Sequence, residues 1–348
     1  MISIFSKFKI AGGSERRCVE LANGLSRYTD NQVQILCREK SFPDGLKKLL
    51  HPYVFVVTDC QSKPDFFYGS EAIITVNTDS RDFTKLSYWQ SFLDTEKLSG
   101  KTMIFLFNFI ISPSQHLSDF SNKGANVGII TTNKKFFDEV SQKDKFQSVR
   151  HLPRIILESP IDPSSICPFP KKKDDSFKIG MLSKSYGDKW NDDIPTVIDS
   201  LCGFGGFSFS LMGAKPPLWK ILSGKEEVSL LREGSKSVGE FLSDLDLFMF
   251  FPSYKRQEPW ARVIGEAMMR GLPILALDNE GGTSQQVLNG NNGFLCKNPN
   301  DFIDKAVYLF TNRNACEQMG KNSRIYACEF TSENICRKLC RFMEGIKG

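Results

Sequence analysis

The chain has 348 residues, 41% hydrophobic and 24% charged, with a net charge of +5. That length exceeds one ordinary core and suits two domains, and the composition is that of a globular protein and excludes a disordered or fibrous one. The modest positive balance fits an anionic substrate or an anionic surface, and no basic run interleaved with aromatics points to nucleic acid.

Ten cysteines are scattered without a Cys-x-x-Cys pair, and there are only three histidines, His51, His116 and His151, so zinc ligation is not expected. Cys336 and Cys340, one helical turn apart, read as one packed helix face. No apolar stretch approaches the length of a membrane span, and residues 2–8 read as a strand where a secretory signal would be apolar, so none is expected. The expected compartment is cytoplasmic.

Residues 2–8 alternate as a strand, Gly12 and Gly13 form a tight turn, and 15–28 carries one apolar stripe at helical spacing. A strand over 33–36 completes a βαβ unit. A glycine turn ahead of a helix can bring backbone N–H groups to an anion. The full Gly-x-Gly-x-x-Gly fingerprint is absent, so a plain turn is the other reading. Further strands are expected over 54–57, 72–76, 103–109, 127–131 and 154–157, with a helix over 133–140 capped by Asn133. Asn77, Thr78, Asn108 and His116 fall at strand ends or in loops and are given no role. The first domain is expected to cover 1–160.

Pro160, Pro163, Pro168 and Pro170, then Lys171, Lys172 and Lys173, mark a linker over 161–176. The second domain is expected over 177–330. Its strands fall at 177–182, 207–211, 228–231, 247–251 and 274–277, with helices over 194–201 and 238–245. A helix follows with Pro259 in its first turn and ends at Gly271. The remainder turns helical over 301–311 and 315–327, and a last helix lies within 331–348. Such alternation implies α/β domains with parallel sheets covered on both faces.

Two carboxylates, Glu258 and Glu266, frame that predicted helix. Eight helical residues span roughly 12 Å, a separation suited to gripping two ends of one elongated ligand. Glu258, Arg262 and Glu266 could equally form an i,i+4 ladder on a solvated face. Lys184 and Lys189 lie in one loop after the 177–182 strand, where ligands of open α/β sheets bind. The pair would attract an anion, or would be two surface lysines. Gly281, Gly282 and Thr283 precede a short helix near 285–288, where backbone amides could approach a sugar or phosphate, or simply form a turn.

The run Glu258-Pro-Trp-Ala-Arg-Val-Ile-Gly-Glu266-Ala-Met-Met-Arg-Gly-Leu-Pro273 resembles the Glu-x7-Glu signature of retaining glycosyltransferases of family 4. The loop Gly180-Met-Leu-Ser-Lys184-Ser-Tyr-Gly-Asp-Lys189-Trp190 is similar to that family's phosphate loop, and Gly12-Gly13-Ser14-Glu15-Arg16 to its first loop. The resemblance is strongest over about 177–296. It implies the GT-B fold, two Rossmann-like domains facing across a cleft, with C-terminal helices that often cross back to the first domain. It also implies transfer of a sugar from a nucleotide-diphosphate sugar to a saccharide or lipid-linked acceptor, with retention of anomeric configuration. In that scheme Glu258 contacts the donor sugar, Glu266 the ribose, and Lys184 and Lys189 the diphosphate. Gly12, Gly13, Gly281, Gly282 and Thr283 line the donor site.

No metal or other cofactor is implied. A glycolipid acceptor would bring the protein peripherally to the inner face of a membrane. Three departures stand out: Met181 follows Gly180 where the family commonly has Arg, Lys184 replaces an Arg that can donate a fork of hydrogen bonds, and Gln285 stands where Glu is usual. Met181 and Gln285 keep open a non-catalytic sugar-nucleotide-binding subunit, and a nucleotide-sugar epimerase of the same architecture is a further alternative.

Overall fold

A computed structural model describes residues 1–9, 12–76, 85–107, 117–167, 176–185, 187–278 and 281–347. The chain divides into two compact units, Met1–Pro160 with Ser332–Gly348, and Ile161–Thr331.

The first unit holds a seven-stranded sheet: β1 (Ile2–Ser6), β2 (Val33–Cys37), β3 (Val54–Val57), β4 (Ala72–Thr75), β5 (Thr102–Phe107), β6 (Asn126–Thr131) and β7 (Arg154–Ile156). Its order is β3-β2-β1-β4-β5-β6-β7, and every pairing is parallel. The alternation of β1 does not mark a wet face, because all five of its residues are buried. Its serines are satisfied inside instead: Gln34 Nε2 donates to Ser3 Oγ at 2.8 Å, and Ser6 Oγ donates to Val76 O at 3.0 Å. Burying a hydroxyl is tolerable only with such partners.

The Gly13–Tyr28 helix buries Cys18, Val19, Leu21, Ala22 and Leu25 against this sheet. The Lys134–Gln142 helix starts where Asn133 accepts from Phe136 N at 2.9 Å, the expected cap. The last helix, Ser332–Lys347, belongs to this unit and packs on the first: Cys336 is fully buried, and a Cβ at Gly24 would stand 2.5 Å from its Sγ. Only a residue without a side chain allows that approach.

The second unit holds β8 (Phe177–Leu182), β9 (Phe207–Met212), β10 (Val228–Leu231), β11 (Leu247–Phe250), β12 (Ile274–Leu277) and β13 (Gly293–Cys296). Their order is β10-β9-β8-β11-β12-β13, again all parallel. β11 and β12 are buried at every position, the continuous apolar character a strand needs when helices cover both faces. The chain winds outward from β8 through β9 to β10, then returns to β8's other side as β11. The reversal point therefore lies between the carboxyl ends of β8 and β11.

Part of the expected linker is structural. Ile161 and Ile166 are buried in this unit's core, and Ile161 N donates to Phe330 O at 2.9 Å. The polar, proline-rich composition hid two apolar anchors. Lys171, Lys172 and Lys173 lie outside the described residues, as do Asn77, Thr78, Asn108 and His116. Among the described residues no helix is long and apolar enough to cross a membrane, and no His/Cys/Asp/Glu cluster is arranged to hold a metal.

Candidate functional site

The loops leaving β8 and β11 are stitched together at the reversal point. Asn191 N donates to Phe251 O at 3.0 Å, Asn191 Nδ2 to Pro252 O at 3.0 Å, and Ser253 N to Asp188 O at 3.1 Å. Trp190, fully buried, pins the first loop from beneath by donating its indole N–H to Lys184 O at 2.9 Å. These bonds carry Lys189 to Glu258, its Nζ lying 2.9 Å from Oε2 and 3.2 Å from Oε1.

Arg256 joins the same carboxylate, Nε to Oε2 at 2.5 Å. The three side chains are only 13–26% exposed, so water screens them weakly. Burial alone would raise the Glu258 pKa, but the charges of Lys189 and Arg256 outweigh it and hold the carboxyl below its ordinary range. Burial pulls Lys189 down, and Glu258 partly offsets this while Arg256 adds to it.

Glu258 does not begin a helix. The Arg262–Arg270 helix starts four residues later, with Ala261 as its N-cap, so Pro259 lies outside its first turn and the helical spacing between the two glutamates does not apply. Residues 258–261 are fixed from the side by the 282–286 segment. Gln286, fully buried, accepts from Ala261 N and donates to Ala261 O, both at 2.9 Å. Gly282 N donates to Glu258 O at 2.8 Å, and a Cβ at Gly282 would fall 1.7 Å from Pro259 O. The glycine at 282 is thus required by close backbone packing, and its amide is already committed to Glu258.

Glu266 is 1% exposed and accepts from Arg262 Nε at 2.9 Å. The solvated ladder is therefore half present: Arg262 and Glu266 pair, but the pair is buried and Glu258 turns to Lys189 and Arg256 instead. Thr283 is fully buried, and its Oγ1 has no hydrogen-bond partner among the described residues; the same holds for the indole N–H of Trp260, 9% exposed. Buried polar groups in that state are rare and call for an explanation.

Lys184 does not share the Lys189 cluster. Its Nζ lies 2.7 Å from Glu233 Oε1, on the β10 side, and Glu233 Oε2 accepts from Ser185 N at 3.1 Å. Burial raises the Glu233 pKa, but Lys184 and the Ser185 N–H bring it below the ordinary value. Met181 is a fully buried core residue, and the Gln285 backbone oxygen accepts from Tyr326 at 2.9 Å.

Gly12 and Gly13 belong to the first unit, Gly12 as N-cap and Gly13 as first residue of the Gly13–Tyr28 helix. Sequence reasoning missed Arg256, Glu233 and Gln286. Only Arg256 carried a signal, a cation two residues before Glu258.

Two parallel-sheet α/β units of seven and six strands define the GT-B fold. Within the second unit, residues 219–326 match the family Glycosyl transferases group 1. The chain is 34% identical over 90 residues to a trehalose synthase of Thermococcus litoralis, a match covering 25% of this chain and 21% of that protein. It thus spans about a fifth of that relative's length.

Among solved structures, Anabaena HepE in complex with UDP and glucose superposes with a TM-score of 0.72 at 16% identity, covering 99% of both chains. A glycosyltransferase from Rickettsia africae gives a TM-score of 0.78 at 13% identity, covering 99% of this chain and 98% of that one.

Proposed function

We propose that the chain transfers a sugar from a nucleotide-diphosphate sugar to a saccharide or lipid-linked acceptor, with retention at the anomeric carbon. One observation carries the reading: Lys189, Arg256 and Glu258 gather, largely buried, at the carboxyl ends of β8 and β11. A diphosphate leaves as an anion, and stabilising charge as it develops is usually the largest catalytic contribution. Fixed cations in a weakly screened site supply it. Lys189 bears on the diphosphate, and Lys184 would join only by leaving Glu233. Glu258 holds the donor sugar through its hydroxyls, and Glu266 fixes the ribose.

The acceptor hydroxyl attacks from the face the phosphate leaves, and its proton passes to the departing phosphate oxygen, the base within reach on that side. Because Glu258 is held as an anion by two cations, it suits hydroxyl binding better than proton donation. The buried hydroxyl of Thr283 and indole N–H of Trp260 are polar groups a bound sugar or phosphate would satisfy. Gly12 and Gly13 keep the donor-binding role that the resemblance implies. The chain's own cations do the neutralising, so no divalent metal is required. The match over 219–326 and the HepE complex with UDP and glucose support a nucleotide-sugar donor.

The test is nucleotide release from UDP-, GDP-, ADP- and dTDP-sugars, with and without EDTA, over a panel of saccharide and glycolipid acceptors. Expected is release from at least one donor that survives EDTA, with product anomeric configuration unchanged by NMR. Binding without release would sink the transferase reading and leave a sugar-nucleotide-binding subunit.

A further inference from the structure

We propose that the Glu233 carboxylate holds the place of a donor phosphate until the diphosphate displaces it from Lys184. Glu233 is then an internal competitor that sets the affinity for the nucleotide. This rests on the nucleotide-sugar reading above and adds a residue that the resemblance does not assign.

The donors around Glu233 are the first argument. Lys184 Nζ lies 2.7 Å from Oε1, and Ser185 offers Oε2 its backbone N–H at 3.1 Å and its hydroxyl at 3.4 Å. An ammonium, a backbone N–H and a hydroxyl from two successive residues thus converge on one anion. That is the donor set of a phosphate site, and a carboxylate fills it. Lys184 and Ser185 follow β8 and Glu233 follows β10, so the bridge spans the carboxyl edge of the sheet, where ligands of such folds bind.

The second argument is that neither backbone needs the bridge. Trp190 donates its indole N–H to Lys184 O at 2.9 Å, and Ser183 N donates to Met212 O at 3.1 Å. The Ser183 carbonyl lies so close to Gly213 that a Cβ there would fall 2.1 Å from its oxygen. On the other side Ser235 N donates to Arg232 O at 3.1 Å, across a turn whose third residue, Gly234, has a φ of +75°. Glycine takes that conformation without strain. Both segments are therefore shaped by their own bonds, and removing the carboxylate releases a side chain without unfolding a loop.

Exposure is the third. The Lys184 and Glu233 side chains are 44% and 37% exposed, against 20% and 13% for Lys189 and Glu258. An exposed ion pair is weak, because water screens the attraction and two long side chains lose freedom. A diphosphate brings more charge to the ammonium than one carboxylate does. Lys184 is thus the cation of this loop that changes partner more readily. Apparent affinity scales with the fraction of molecules in which Lys184 is released, and Glu233 sets that fraction.

The test is calorimetric binding of UDP, GDP, ADP and dTDP, each against its own nucleoside. The proteins compared are the wild type, Glu233→Gln, Glu233→Ala, Lys184→Gln and the double variant of Lys184→Gln with Glu233→Gln. For the diphosphate the wild type prefers, Glu233→Gln should bind about two- to fivefold more tightly, the worth of an exposed ion pair, with the nucleoside unchanged. Lys184→Gln should bind more weakly, and adding Glu233→Gln to it should bring no gain. Glu233→Ala should repeat the gain, and it carries the test if thermal unfolding shows that Glu233→Gln does not fold. Unchanged or weakened diphosphate binding in the folded Glu233 variant overturns the proposal, since the carboxylate would then only support its loop. A gain that persists without Lys184 also overturns it, as mere relief of repulsion, and so does an equal change for the nucleoside, which would put Glu233 against the base. A wild-type chain that binds none of the four diphosphates overturns the nucleotide-sugar reading, and this one with it.

Discussion

Lys189 and Glu258, 69 positions apart in the chain, are joined by two hydrogen bonds of 2.9 and 3.2 Å at the reversal point of the second sheet. Groups in direct contact should not act independently. Lys189→Ala and Glu258→Ala are each expected to reduce nucleotide release at least about tenfold, as loss of transition-state contacts does. The double variant should lose far less than the product of the two. A double-mutant cycle on stability in urea should return a coupling of about 1 kcal/mol or more. Additive effects would mean that the contact is not maintained in solution.

The Glu258 charge also sets a pH dependence. Its folded pKa lies below the ordinary value because Lys189 and Arg256 outweigh the burial that would raise it. A depressed carboxylate adds stability that is present above its unfolded pKa and lost as pH falls through the folded one. The stability gap between wild type and Glu258→Gln should therefore be flat from pH 7 to about 5 and shrink below about 4.5, the unfolded value. Urea midpoints across that range measure it. A gap that widens on acidification would contradict the direction of the shift.

Legibility in the sequence followed the range of the interaction. Strands buried on both faces announce themselves by continuous apolar runs, so β8, β11 and β12 and their alternation with helices were readable. So was the Asn133 cap, a contact three residues long. The Glu258 and Glu266 positions came from a motif, but their environments did not, because Pro259 suggests a helix start that the Gln286 clamp on Ala261 moves to Arg262. Lys184 and Lys189 look alike in one loop. Their different fates depend on Glu233 and Glu258, one behind β10 and one behind β11, and pairings across a sheet leave no local trace. Ile161 and Ile166 were hidden by the prolines around them.

The glycines assigned to the donor site separate packing from contact. At Gly282 a Cβ would meet Pro259 O at 1.7 Å, backbone against backbone, so Gly282→Ala must push the Glu258 segment aside. A loss of about 1–3 kcal/mol in stability and a fall in turnover are expected together. At Gly13 a Cβ meets nothing within 4 Å, and the residue opens a helix. Gly13→Ala should gain up to about 1 kcal/mol. If Gly13 lies against the donor, donor affinity should nevertheless fall while the melting temperature rises. A stabilised variant with unaltered donor affinity would remove Gly13 from the site.

Gln286 is the sharpest test of how the Glu258 segment is held. Its side chain, fully buried, satisfies both backbone groups of Ala261. Gln286→Leu keeps the volume and leaves the buried Ala261 N–H unpaired, which costs about 1–3 kcal/mol, while Ala261 O keeps its bond from Ile264 N at 3.0 Å. Neither group touches the substrate in the scheme above, so the effect on catalysis must pass through the position of Glu258. The expected signature is a raised KM for the donor sugar nucleotide with little change in affinity for the free nucleoside, partly recovered in Gln286→Glu, which keeps the acceptor for Ala261 N. If Gln286→Leu lowers the urea midpoint but leaves the donor KM at its wild-type value, the clamp supports the fold without aiming the carboxylate.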